Sequence, residues 1–194
     1  MHQKVEQKLH AWVDANRDAL IAELKDFLRI PSLTGYEGEA QNFVKAQYEK
    51  LGLTVDVFEP DVRQLFETYP QVAQYPTSWE PELDLVIQTT DICTYEQWLN
   101  SGYADRLNYK GRPNVVGTLK GTGGGRSLIL NGHVDCVTVG DPARWEHDPF
   151  GAEQVGSRIY ARGSSDMKGG RNAGIKCVCY NPHGKPAPEE DLFD

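Results

Sequence analysis

Apolar residues recur at intervals of three and four from Val5 through Leu9, Trp12 and Val13 to Leu20, Leu24, Phe27 and Leu28, the spacing that lays one stripe along a helix. The stripe predicts an amphipathic helix with a break near Asn16, stopping before Pro31, because proline restricts the residue ahead of it. The Glu, Lys and Arg residues between the apolar positions form its solvated face. His2 and His10 fall in or before this helix without a carboxylate-rich partner pattern and read as surface histidines. Thr34-Gly-Tyr-Glu37 has the capping-box spacing, which predicts a second helix opening there. It runs through Ala40, Phe43, Val44 and Tyr48 to Leu51, with Gly52 as its stop. Leu53, Val55 and Val57 then alternate with Thr54, Asp56 and Phe58, the two-residue period of a strand.

Residues 59–112 are rich in Tyr, Trp and Pro. A structureless connection of that length is unusual in a compact domain, so short helices are expected around Val62 to Thr68 and Thr94 to Asn100. The aromatic residues here read as packing for a surface excursion. Val115, Val116 and Leu119 predict a strand, Gly121-Thr-Gly-Gly-Gly-Arg126 a tight turn, and Ser127 to Asn131 the returning strand of a hairpin. The glycines do not make a phosphate loop, because Arg126 occupies the last glycine position of the fingerprint and a strand follows instead of a helix. Gly156-Ser-Arg-Ile-Tyr160 reads as a short hairpin strand.

Candidate chemistry sits at the end of the apolar run. Leu128-Ile-Leu-Asn-Gly is followed by His133-Val-Asp135, and residues two apart on a strand point the same way. A neutral imidazole suits a first-row divalent metal, and a carboxylate beside it can take its other N–H. Asp166 follows Gly163-Ser-Ser and precedes Met-Lys168-Gly-Gly170, which places its carboxylate on a sharp bend. Taken singly, each signal has a bland explanation: a hydrogen-bonded surface His, or an Asx turn. Neither Ser164 nor Ser165 lies in a G-x-S-x-G elbow, which removes a serine-hydrolase reading.

The joint pattern carries more. Gly132-His133-x-Asp135, then Trp145 with Asp148-Pro149-Phe150, Gly156, Tyr160 and Arg162-Gly163-x-x-Asp166-Met167-Lys168-Gly169-Gly170 resembles the N-terminal part of the catalytic domain of a metallopeptidase family. That family includes acetylornithine deacetylase, succinyl-diaminopimelate desuccinylase, aminoacylase and glutamate carboxypeptidase. Ile30-Pro31-Ser32 and Leu51-Gly52-Leu53 resemble its opening as well. Thr138 stands where the family often has Pro, and Ala161 where it often has Gly, and neither change removes a ligand. The resemblance implies that His133 and Asp166 are metal ligands, Asp166 bridging two ions, and that Asp135 is the catalytic-site acid supporting His133. It implies two zinc ions per site in intact relatives, with cobalt as a substitute. It implies hydrolysis of amide bonds in N-acyl amino acids or small peptides. The expected fold is α/β, with helices packed on a twisted mixed, partly parallel sheet, and without the family's smaller lid domain, which often carries its dimer contact. No oligomer is inferred.

Composition narrows the partners. A formal net charge of -8 over 194 residues argues against nucleic acid and anionic membranes, both of which want a basic face. No apolar run approaches a membrane span and the start has no apolar signal core, so the chain reads as cytoplasmic. Cys93, Cys136, Cys177 and Cys179 are few and irregularly spaced, and free thiols are the expectation. Cys177-x-Cys179 with His183 lacks the C-x-x-C spacing and a second pair needed for a structural zinc site. His147 lies in the loop holding Trp145 and is left outside the site.

The residue pattern of the family ends at Gly170. Arg171 to Tyr180 shows no clear helical stripe, and Asn181-Pro-His-Gly-Lys-Pro-Ala-Pro188 suits neither helix nor central strand. Glu189 and Glu190 follow Asp166 by 23 and 24 residues, too few for the helix and strand that precede the family's Glu-Glu pair. The expected organisation is a partial catalytic domain over 1–170 and a divergent tail over 171–194, from a truncated copy or a coding frame lost near Arg171. The expected function is an amidohydrolase of the deacetylase or peptidase type with little or no activity in this chain. The alternative is a non-catalytic interaction protein that keeps the half-domain for binding.

Overall fold

A computed structural model of the chain describes residues 2–69, 78–80, 85–87, 94–100, 104, 108–121 and 126–170. The expected tail at 171–194 and the glycine turn at 122–125 lie outside them, as do Cys93, Cys177 and Cys179.

The N-terminal stripe forms two helices, α1 (His2–Ala15) and α2 (Arg17–Leu28). The break falls at Asn16, whose backbone leaves helical values at φ -109 and ψ 8. Its side-chain amide donates to the Trp12 carbonyl at 2.8 Å, the local competition with helix bonding for which asparagine is known. Helix α3 (Gly38–Lys50) follows. It ends as the sequence predicts: Gly52 takes φ 78, its N–H reaches the Glu49 carbonyl, and the Leu53 N–H reaches Tyr48, which is a Schellman closure.

The start of α3 differs from expectation. Its N-cap residue is Glu37, no side chain caps it, and the capping box proposed for Thr34 and Glu37 does not form. The Thr34 hydroxyl donates to Asp135 instead. Glu37 accepts from the Gly35 N–H and pairs with Arg112 through Nε at 2.7 Å and Nη2 at 2.9 Å. A bidentate guanidinium outcompetes a helix end for a buried carboxylate.

Strand β1 (Thr54–Phe58) pairs antiparallel with β4 (Asn114–Thr118) in the register Val57 opposite Val115. Helix α3 packs over both, so closely that a Cβ on Gly117 would come within 2.6 Å of the Tyr48 ring. The short helices fall where expected, at α4 (Val62–Thr68) and α5 (Tyr95–Asn100). Val62, Phe66 and Trp98 bury one another between them. Strands β2 (Ser78–Glu80) and β3 (Leu85–Ile87) form a second antiparallel pair. Strands β5 (Glu153–Val155) and β6 (Arg158–Tyr160) form a third, turning at Gly156.

The partly parallel sheet is therefore not what the described residues form. Their ladders are antiparallel and two-stranded, and parallel pairing is confined to one bridge between Leu33 and Cys136. Ser127 to Asn131 is not a paired strand, and the expected hairpin with β4 is absent among the described residues. Leu128, Ile129 and Leu130 are 76%, 85% and 55% exposed. An apolar run becomes a central strand only when neighbours take its N–H and C=O groups, and among the described residues none does.

The C-terminus of α2 is where two apolar clusters meet. Phe27 points to Ala40, Val44 and Val134 and stacks on Phe43 with ring centroids 5.1 Å apart. The next residue, Leu28, packs against Ala152 and Ala161 beside the β5–β6 hairpin. Adjacent helical positions thus feed both the segment carrying His133 and the one leading to Asp166.

Candidate functional site

The segment 133–136 alternates as an extended chain does. Val134 and Cys136 are 3% and 4% exposed, while His133 and Asp135 face outward between them. What holds the segment extended is the strap Ser32 to Thr34 leaving α2. The Ser32 hydroxyl donates to the Val134 carbonyl at 2.6 Å. The Cys136 N–H donates to the Ser32 carbonyl at 2.8 Å, and the Thr34 N–H to the Cys136 carbonyl at 3.3 Å. These bonds satisfy backbone groups that burial would otherwise orphan.

Asp166 reaches the same place from the other side. Gly163 adopts φ 79, a conformation that suits glycine, and opens the bend Ser164 to Lys168. Lys168, buried completely, anchors that bend: its Nζ donates to the carbonyls of Ile30 at 2.7 Å and Phe27 at 3.2 Å. It also lies 4.8 Å from the Phe27 ring centroid. The ammonium thus closes the carbonyl end of α2, where a cation is favoured. Burial pulls its pKa below the ordinary lysine value.

The three residues singled out from sequence are brought together. His133 Nε2 lies 3.0 Å from Asp166 Oδ1, and Nδ1 lies 3.0 Å from Asp135 Oδ1. Nδ1 is also 3.1 Å from the Asp135 carbonyl oxygen, and the Met167 sulfur accepts from the His133 N–H at 3.4 Å. Both ring nitrogens therefore face acceptors, an environment that favours the imidazolium. Partial burial pulls the His133 pKa down, but the Asp135 carbonyl and the carboxylates of Asp135 and Asp166 outweigh it, and the net shift is upward.

Among the described residues no group of three His, Cys, Asp or Glu side chains is gathered as a metal cage. The donors present fit a divalent metal in kind and direction: an imidazole nitrogen facing a carboxylate oxygen, with a second carboxylate behind the ring. They fall short in number, since zinc takes three or four protein ligands.

His147 stands apart from this group, paired with Glu153 at 2.9 Å and packed on the Tyr160 ring. Trp145 donates its indole N–H to the Val139 carbonyl at 2.8 Å, and the Arg162 guanidinium lies 4.9 Å from its ring centroid. These contacts shape the loop between the two site segments. Sequence reasoning missed Ser32, Thr34 and Lys168 as site-building residues. Ile30-Pro31-Ser32 and Asp166-Met-Lys168 carry a sequence signal only through the family pattern.

Residues 129–189 match the family described as Peptidase family M20/M25/M40. An N-formyl-4-amino-5-aminomethyl-2-methylpyrimidine deformylase of Bacillus subtilis (strain 168) is 44% identical over 95 residues, covering 44% of this chain and 21% of its own length. The protein of the same name from Halalkalibacterium halodurans is 36% identical over 124 residues, covering 63% of this chain and 28% of its own. Succinyl-diaminopimelate desuccinylase 2 of Ruegeria sp. (strain TM1040) is 45% identical over 65 residues, covering 34% and 16%. The aligned part of this chain spans less than a third of each of these three relatives. The family match runs past Gly170 to residue 189, beyond the described residues. Among the described residues no helix is long and apolar enough to cross a membrane. With His133, Asp135 and Asp166 converging inside the matched stretch, the chain resembles the N-terminal part of the catalytic domain of the M20/M25/M40 peptidases.

Proposed function

We propose that this chain carries one edge of the active site of a metal-dependent amidohydrolase acting on N-acyl amino acids or small peptides. The convergence of His133 and Asp166 at 3.0 Å, with Asp135 on the far side of the ring, is the observation that supports it most. The relatives' names describe removal of a formyl or a succinyl group, which points to acyl–nitrogen bonds as the substrate class. His133 Nε2 and Asp166 would hold a zinc or cobalt ion, and Asp135 would fix the ring with Nδ1 protonated. Such an ion, when bound, polarises an amide carbonyl and acidifies a water. The chain's own residues orient the imidazole, expose the Asp166 carboxylate and keep the bend fixed through Lys168. Two ligands hold a metal weakly, so turnover by this chain alone is expected to be low or absent.

The test is titration of the full-length chain with Co2+, followed by calorimetry and visible absorbance, alongside assays of N-acetyl, N-formyl and N-succinyl amino acids with added Zn2+ or Co2+. Binding that is lost in both His133→Ala and Asp166→Ala supports the proposal. Binding unchanged in both variants overturns it. A second reading, a binding module without catalysis, is favoured by the exposed Leu128-Ile129-Leu130 run, since apolar patches often mark partner sites. A soluble, cooperatively folding monomer that binds no metal would support that reading instead.

A further inference from the structure

Asp135 uses its two carboxylate oxygens for different partners. Oδ1 faces His133 Nδ1 at 3.0 Å, and Oδ2 accepts the Thr34 hydroxyl at 2.7 Å. A carboxylate on an extended segment can rotate about its terminal torsion, which is broad in energy, so one bond to the imidazole does not fix its plane. Two bonds on opposite oxygens do. Thr34 is itself held on both sides. Its backbone N–H is tied to the Cys136 carbonyl, one residue beyond Asp135, and its other flank is the Gly35 to Glu37 loop. There Glu37 accepts the Gly35 N–H at 2.7 Å and is locked by Arg112 at 2.7 and 2.9 Å. The Glu37 and Arg112 side chains are 10% and 12% exposed, so the lock is sheltered from solvent.

We propose that Thr34 is a positioning residue for the candidate site: its hydroxyl sets the plane of the Asp135 carboxylate, and through it the tautomer and direction of the His133 ring. The Glu37–Arg112 pair is the brace that keeps the hydroxyl in place. The chain of contacts runs from Arg112 through Glu37, the Gly35–Tyr36 backbone, Thr34 and Asp135 to His133, and joins three segments of the sequence. Its orienting role for the imidazole stands on geometry alone, whereas its effect on metal affinity rests on the proposed metal-binding reading.

Thr34→Val keeps the shape and β-branching and removes the donor, and Thr34→Ser keeps the donor. With the full-length chain 15N-labelled at histidine, metal-free wild type and Thr34→Ser are expected to show the same His133 Nδ1 and Nε2 shifts, while Thr34→Val moves both. Co2+ affinity is expected to fall about 10-fold in Thr34→Val, within the range seen when a ligand's supporting hydrogen bond is lost, and to be restored in Thr34→Ser. Circular dichroism of each variant shows that the fold is retained. Should Thr34→Val misfold, Glu37→Gln is the second variant, expected to move the same two shifts in the same direction. Unchanged His133 shifts in a folded Thr34→Val chain overturn the inference. Shifts that respond while no variant or wild type binds Co2+ overturn the metal reading and leave the positioning role standing.

Discussion

The Lys168 ammonium lies 2.7 Å from the Ile30 carbonyl oxygen, joining residues 138 apart in sequence and closing the end of α2 from inside the protein. The same nitrogen reaches the Phe27 carbonyl, so one side chain bonds a carbonyl in the last turn of α2 and another just beyond its end. Lys168→Met keeps much of the volume and removes the donors. It is expected to destabilise the chain by about 1.5–3 kcal/mol, the scale of hydrogen bonds to a charged donor. Urea unfolding followed by circular dichroism measures it, and unchanged stability would show that the carbonyls find other partners.

Removing one partner of the sheltered Glu37–Arg112 pair leaves a charge without its counterpart. Arg112→Met is expected to cost about 3–5 kcal/mol, as for other buried pairs broken on one side. Amide hydrogen exchange should show the Gly35 N–H, which donates to Glu37, losing protection before the β1–β4 ladder does.

Phe27 is 1% exposed and stacked on Phe43. Phe27→Ala is expected to cost about 3–5 kcal/mol, the usual range for emptying a buried aromatic site. The substitution also removes the ring beneath Lys168, so a double-mutant cycle with Lys168→Met should show coupling. Simple additivity would place the two effects in separate parts of the structure.

The upward shift of His133 has a definite sign. The folded state binds the imidazole proton more tightly than the unfolded chain does. The stabilisation is therefore complete below about pH 6.5, the unfolded value, and is lost as pH rises through the folded pKa. NMR titration of the metal-free chain should place the His133 midpoint above the ordinary histidine value, and Asp166→Asn should lower it. A midpoint below the ordinary histidine value would mean that burial, and not the carboxylates, governs the ring. Because a metal competes for the same nitrogen, Co2+ affinity should rise with pH across this range.

The helices were legible because their signals are local. The Asn16 break, the Gly52 stop, α4 and α5 follow from spacing, caps and turn residues within a few positions of one another. The approach of His133 to Asp135 was legible for the same reason, since two-residue alternation needs no distant information. Thr34 and Glu37 were misread as a capping box because their actual partners, Asp135 and Arg112, stand 101 and 75 residues away. No local spacing carries that. Leu128 to Leu130 were misread as a paired strand because an apolar run states what a segment needs, and pairing depends on whether a neighbour supplies it. The approach of Asp166 to His133 was legible only through the family pattern, because its cause is the grip of Lys168 on the end of α2.

The ladder contact between Leu33 and Cys136 ties the beginning of the chain to its later half across roughly a hundred positions. Entropy charges such a closure in advance, and contacts of this range form slowly. Transplanting residues 129–170 alone into another scaffold would therefore carry the letters of the motif without the clamp that shapes it. The portable unit begins at α2.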